Sequence, residues 1–223
     1  RVVPREEGCA DGAGELGLRR KLRPTTPRLG EEVDPAGLLP GVLPVSRLED
    51  GALLWEQPVA AREGRSELDR LADVDGEMVF VASDLLVSSY KNRLSSMAAD
   101  SGRLLWFKDI PSATGVTVAR TNLAISDRDG NVWLLDRRNG STLWKQDQLT
   151  NRGLTRPAFY GNYVVVGDKE GYLHWMNLDD GNFAGRTKVG GKGFSGAPVV
   201  IDDTLFVYTR KGDLVAYRPT PAS

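Results

Sequence analysis

The residues able to do chemistry are few and scattered. His174 is the only histidine and Cys9 the only cysteine, so a multi-cysteine metal site and an internal disulfide are both excluded. A lone histidine cannot assemble a metal centre, and His174 stands between Leu173 and Trp175 with no neighbouring Ser or Cys to activate. Its expected role is structural, hydrogen-bonded inside a strand. Asp179 and Asp180 are adjacent carboxylates, but Gly181 follows them, which makes them turn formers first. Asp73 and Asp75 are spaced two apart in Leu68-Asp69-Arg70-Leu71-Ala72-Asp73-Val74-Asp75. In an extended segment that spacing points both carboxylates the same way. Two aligned like charges repel within a chain and are better served by a basic partner. The alternative is a solvated acidic loop. The cations Arg19, Arg20, Lys21 and Arg23 read as a solvated segment, and a net charge of −1 supplies no field to gather nucleic acid.

The elements that must carry these residues come from a repeat. One phrase occurs as Asp50-Gly51-Ala52-Leu53-Leu54-Trp55, as Ser101-Gly102-Arg103-Leu104-Leu105-Trp106 and as Asn139-Gly140-Ser141-Thr142-Leu143-Trp144. A fourth copy, Asp180-Gly181-Asn182-Phe183-Ala184-Gly185, keeps the turn and loses the Trp. A second phrase runs through Asp129-Gly130-Asn131-Val132-Trp133, Glu170-Gly171-Tyr172-Leu173-His174 and Lys211-Gly212-Asp213-Leu214-Val215. Gly130, Gly171 and Gly212 therefore recur at a fixed 41 residues. Asp-Gly and Asn-Gly pairs accept the positive φ of tight hairpins.

In the clearest unit the strands are 115–119, 122–126, 131–136 and 142–145. Four short strands per period of about 40 residues is the blade of a β-propeller. Further units are expected over 77–107 and 154–187. A last one has strands near 197–201, 204–209 and 214–217 and no fourth strand. The chain thus reads as an all-β partial propeller of about four four-stranded blades over residues 51–218, with a short tail at 219–223. Residues 1–50, rich in Pro and poor in periodic apolar residues, read as irregular or as a degenerate blade. With its closing strand missing, the arc is expected to expose Trp55 and Phe206 at its ends and to self-associate.

The Gly-x-x-Leu-Trp phrase resembles the repeat of the pyrroloquinoline-quinone enzymes, in which the Trp docks between blades. That resemblance makes Trp55, Trp106 and Trp144 packing residues, each burying roughly 200 Å². Within that group the chain is similar to the BamB family of outer-membrane protein assembly factors. The carriers are the acidic stretch at 68–75, Leu143-Trp144-Lys145-Gln146, Leu154-Thr155-Arg156-Pro157 and, most specifically, Val164-Val165-Val166-Gly167-Asp168-Lys169-Glu170-Gly171-Tyr172-Leu173-His174-Trp175. Members have eight blades, so the chain corresponds to the last four or so.

The resemblance implies a non-enzymatic, cofactor-free scaffold. It places that scaffold on the periplasmic face of the outer membrane, held there by an N-terminal lipid anchor not present in this sequence. The implied partners are the periplasmic domains of BamA, the rest of the barrel-assembly complex and nascent outer-membrane proteins. Two contact patches carry over. The Asp-x-Asp of the family's linker maps onto Asp73 and Asp75. A Leu-x-Leu-Arg maps onto Leu16, Leu18 and Arg19, although Arg20 stands where the family has glycine. The alternatives are a fragment of a quinone-dependent dehydrogenase, or a propeller serving another periplasmic protein. Against the first, the carboxylate set that would hold calcium and quinone does not separate itself from turn chemistry.

Overall fold

A computed structural model describes residues 42–46, 50, 52–58, 78–88, 93–112 and 114–218. Seventeen strands are described. The first pair is β1 (Val42–Ser46) and β2 (Leu53–Pro58). A first blade follows as β3 (Val79–Val81), β4 (Asp84–Ser88), β5 (Leu94–Ala98) and β6 (Leu104–Lys108). The second is β7 (Val116–Ala119), β8 (Asn122–Ser126), β9 (Val132–Asp136) and β10 (Thr142–Gln146). The third is β11 (Ala158–Tyr160), β12 (Tyr163–Gly167), β13 (Tyr172–Asn177) and β14 (Phe183–Lys188). The fourth has β15 (Val199–Ile201), β16 (Thr204–Tyr208) and β17 (Leu214–Tyr217).

Each blade is an antiparallel meander whose strands pair in chain order. The expected strands are found within a residue or two at each end, except that the third unit, expected from 154, has its first strand at Ala158–Tyr160.

The apolar side chains do not form one central core. They form layers between successive sheets, because each meander has two faces and buries both against neighbours. Leu86 and Leu94 of the first blade meet Val116, Leu123 and Ile125 of the second. Ala124, Val132 and Leu134 of the second meet Val164, Val166 and Met176 of the third. Val165 and Leu173 of the third meet Leu205 and Val207 of the fourth. A strand with both faces covered reads as a continuous apolar run, which is what Tyr163-Val164-Val165-Val166 is.

Backbone clasps repeat with the blades. The N–H groups of Arg128, Lys169 and Arg210, on equivalent turns, donate to the carbonyls of Pro111, Arg152 and Gly193 at 3.0, 3.0 and 3.1 Å. Donors and acceptors alike stand 41 residues apart, so the period seen in the glycines is also the period of the hydrogen bonding.

The N-terminal side adds one strand and corrects one expectation. Within the stretch read as irregular or as a degenerate blade, Val42–Ser46 is a strand, paired antiparallel with β2 so that Val45 lies opposite Trp55. Only three of its residues are apolar besides Pro44, too short a run for periodicity to register. Leu43 and Val45 alternate inward onto Leu85, Val87 and Met97 of the first blade, and that burial decides the conformation. Among the described residues β1 pairs with β2 alone, and an edge position of that kind tolerates Pro44. Trp55, expected to be exposed, is buried, because the first blade itself covers it. On the fourth blade Val199, Ile201, Tyr208 and Leu214 are exposed and Phe206 is half-buried.

Candidate partner-binding surface

All five residues expected to contact a partner, Asp73, Asp75, Leu16, Leu18 and Arg19, lie outside the described residues. The described residues do show what the propeller's repeated residues are for and where they fail.

The three tryptophans perform one task three times. Trp55 Nε1 donates to the Ala99 carbonyl at 2.9 Å, Trp106 Nε1 to Arg137 at 2.9 Å and Trp144 Nε1 to Leu178 at 2.8 Å. Each acceptor begins the last hairpin turn of the next blade. Each indole also lies against that turn's glycine, at Gly102, Gly140 and Gly181 respectively. At Gly181 a Cβ would sit 2.6 Å from the Trp144 ring, and φ is +73°, so both the close approach and the backbone require glycine. The expectation that these tryptophans pack between blades is met. A Trp serves here because it combines a large apolar face with a single donor.

His174 is buried, as a structural histidine should be. Its Nε2 lies 2.9 Å from Asp168 Oδ2, which also accepts Arg152 Nη1 at 2.7 Å. Asp168 Oδ1 takes the N–H groups of Glu170 and Tyr172, closing the turn. Burial alone would raise the Asp168 pKa. The bonds from His174, from the Tyr172 N–H and from Arg152 outweigh it and hold the carboxyl below its usual range. Burial pushes His174 below its ordinary value, with the bond to Asp168 opposing. Nε2 therefore carries the proton and the ring is neutral near pH 7. Asp180 accepts the Asn182 N–H and side-chain amide, as a turn former does.

The residue that sequence reasoning did not single out is Gly185. It occupies the position of Trp106 and Trp144, and a Cβ there would meet nothing within 4 Å. Clefts open on both faces of β14 around it. One, of about 290 Å³, lies between the third and fourth blades and is lined by Tyr163, Trp175, Gly185, Thr187, Tyr217 and Arg218. The other, of about 420 Å³, faces the second blade and includes Gln148, Arg152, His174, Phe183 and Arg186. The signal was present in the sequence as the one repeat that lost its Trp, but only the assembled blades show the space that is left.

Comparison with known proteins agrees with this architecture. The family model described as outer membrane protein assembly factor BamB matches residues 36–146. The chain is 41% identical over 178 residues to the outer membrane protein assembly factor BamB of Xanthomonas campestris, covering 80% of this chain and 44% of that protein. Against the Pseudomonas aeruginosa protein of the same name it is 41% identical over 182 residues, 82% of this chain and 48% of the relative. The chain thus spans about half the length of the curated relatives it matches. The crystal structure of BamB from Moraxella catarrhalis superposes with a TM-score of 0.71 at 28% identity, covering 80% of this chain and 53% of that one. Repeat phrases, interblade tryptophans and these similarities agree: the chain belongs to the family of the outer membrane protein assembly factor BamB, as part of its β-propeller.

Proposed function

We propose that the protein is a non-enzymatic adaptor of the outer-membrane β-barrel assembly machinery, working at the periplasmic face of that membrane and binding the periplasmic domains of BamA. The observation that carries this reading is the 41% identity, over four fifths of the chain, to proteins named for outer-membrane protein assembly. The form of the molecule supports it. Stacked blades held by indole-to-turn contacts make a rigid frame, and a rigid frame presents linkers and turns at fixed spacing without an ordering cost at each contact.

In this reading Asp73 and Asp75 form the main contact, aimed at a basic surface of the partner, and Leu16, Leu18 and Arg19 form a lesser one. The test is capture of a BamA periplasmic fragment by the full-length protein. Replacing Asp73 and Asp75 by Lys should weaken capture, with a cost of about 2–5 kcal/mol if the carboxylates are buried against cations and much less at a rim. The strand signal in circular dichroism should stay as it was. Undiminished affinity at low salt would return the pair to a solvated loop, and absence of capture by the parent protein would overturn the adaptor reading itself.

A further inference from the structure

Charge is distributed unevenly among the turns and linkers, and the repeat shows where. Positions 41 residues apart are equivalent, as the backbone clasps from Lys169 to Arg152 and from Arg210 to Gly193 make plain. At one such position Asp129 and Glu170 are followed by Lys211. At another Asp147 is followed by Lys188, and at a third Asn151 is followed by Lys192. Acids and bases are mixed where the second blade meets the third. Where the third meets the fourth, bases replace them.

Three segments bring these bases together. The linker Val189-Gly190-Gly191-Lys192-Gly193 runs between two turns. On one side the Gly171 carbonyl accepts the Val189 N–H at 2.9 Å, and on the other the Arg210 N–H donates to the Gly193 carbonyl at 3.1 Å. Lys169, Lys188, Lys192, Arg210 and Lys211 are exposed there. Their charged ends rest on neutral acceptors. Lys169 Nζ donates to the Asn151 carbonyl at 2.8 Å, Lys188 Nζ to the Glu170 carbonyl at 2.7 Å and Arg210 Nε to the Phe194 carbonyl at 3.2 Å. A Cβ on Gly191 would lie 3.8 Å from Lys211 Nζ, so Lys211 reaches over the linker. The carboxylates nearby are occupied: Glu170 and buried Asp168 face Arg152, and Asp213 bonds to Thr209. Asp179 and Asp180 precede β14 and stand at its opposite end from Lys188. Among the described residues the N–H groups of Gly191 and Lys192 have no protein acceptor, whereas that of Asn151, equivalent to Lys192, donates to Asp129.

We propose that this junction binds an anionic membrane surface through the phosphates of its lipid headgroups, with Lys188, Lys192 and Lys211 at the centre of the contact and Lys169 and Arg210 beside them. Clustered cations that no carboxylate neutralises are attracted to anionic headgroups as a unit. Lysine suits phosphate as a compact point charge, and free N–H groups on a glycine-rich turn are donors of the kind that hold phosphate oxygens. The two clefts around Gly185 are lined by other residues, so the patch is a surface of turns and not a groove for an extended peptide. A sheet of headgroups needs no groove. The choice of a membrane as the anion rests on the adaptor reading, which puts the protein beside one, while the patch itself is read from the structure alone.

The test is co-sedimentation of the full-length protein, prepared without lipid modification, with vesicles of phosphatidylcholine alone or mixed with phosphatidylglycerol. The protein should bind the mixed vesicles at low salt, bind the neutral ones at least about tenfold more weakly, and be released as salt is raised. Lys188→Asp with Lys192→Asn and Lys211→Glu installs the residue types of the preceding repeats, so the variant should fold with an unchanged circular dichroism spectrum. It should lose vesicle binding by at least about tenfold. Arg103→Glu with Arg120→Glu, on turns at the other end of the strands, should change binding little. Equal binding to both kinds of vesicle, or full binding by the folded triple variant, would overturn the proposal. So would a parent protein that ignores anionic vesicles but binds polyglutamate through the same lysines, since the patch would then serve an acidic polypeptide. Capture of the BamA periplasmic fragment, measured on the same preparations, tests the adaptor reading separately.

Discussion

The interface between the second and third blades and the one between the third and fourth are the same contact with and without its central residue. In the first, Trp144 covers Gly181 and bonds to Leu178, and Gln146 adds a bond from its side-chain amide to the Gly181 carbonyl at 3.0 Å. In the second, Gly185 offers no side chain, and among the described residues the fourth blade has three strands. Yet both interfaces keep a continuous apolar layer further in, through Val164, Val166 and Met176 on one side and Val165, Leu173 and Leu205 on the other. The comparison separates two tasks. The β-branched strands provide the adhesion between blades, whereas the Trp–turn pair fixes how one blade sits on the next and seals the outer margin.

Breaking the filled interface should have the largest effect. Trp144→Ala is expected to destabilise the protein by about 3–5 kcal/mol, since it opens a large cavity in a packed layer. Chemical denaturation followed by far-ultraviolet circular dichroism would measure it, and a loss under 1 kcal/mol would mean that the aliphatic layer alone governs docking. Gly181→Val attacks the same contact from the receiving side. It drives a Cβ into the indole and forces a branched residue to positive φ, so a loss of about 2 kcal/mol or more is expected in the same assay. Both substitutions should lower the midpoint, and a double variant should lose less than the sum of the two because they remove one interaction.

A pH dependence sharpens the comparison through the turns. Asp127 in the second blade closes its turn by accepting Asn131 and Trp133 Nε1, at 2.7 and 2.9 Å from the acceptor oxygen. Asp168, 41 residues on, accepts His174 and Arg152 instead. His174 has a pKa below its ordinary value in the folded state, so the unfolded chain binds the proton more readily. The stability it contributes is complete above the unfolded value of about 6.5 and declines as pH falls from there toward the folded value. Asp168, also lowered, adds a second loss that begins only near the ordinary carboxylate range of about 4. The melting temperature should therefore drop between pH 7 and pH 5, and His174→Gln should flatten that part of the profile. An unchanged slope in the variant would assign the decline to other groups.

The smallest effect is expected at the surface of the second blade. Lys145 lies 4.8 Å from the centre of the Trp133 ring, across the strand pair β9–β10. Lys145→Ala should cost about 0.5 kcal/mol, as exposed cation–π contacts do. A much larger loss would show that the outer strand is held by its side chains more than by its ladder.

Much of this was legible in the residues themselves. A spacing of 41 among turn glycines, with Asp-Gly and Asn-Gly before alternating apolar runs, determines hairpins, strand number and blade length by local chemistry alone. Positive φ and the reach of a two-residue turn do not depend on distant parts of the chain. The structural role of His174 followed from its residue type and neighbours, and that of the three tryptophans from the resemblance of their repeat to a known family. Tertiary structure decided what depends on neighbours. Val42–Ser46 becomes a strand because the first blade offers Leu43 and Val45 a surface, and Trp55 is covered by that same blade. Arg152 finds Asp168 because the linker between blades returns over the turn, a contact between residues 16 apart that no local pattern encodes. Gly185 shows the division most clearly. Its identity is written in the sequence as a missing Trp, but that the absence leaves a cleft lined by Tyr163, Trp175 and Tyr217 is a property of two blades held face to face.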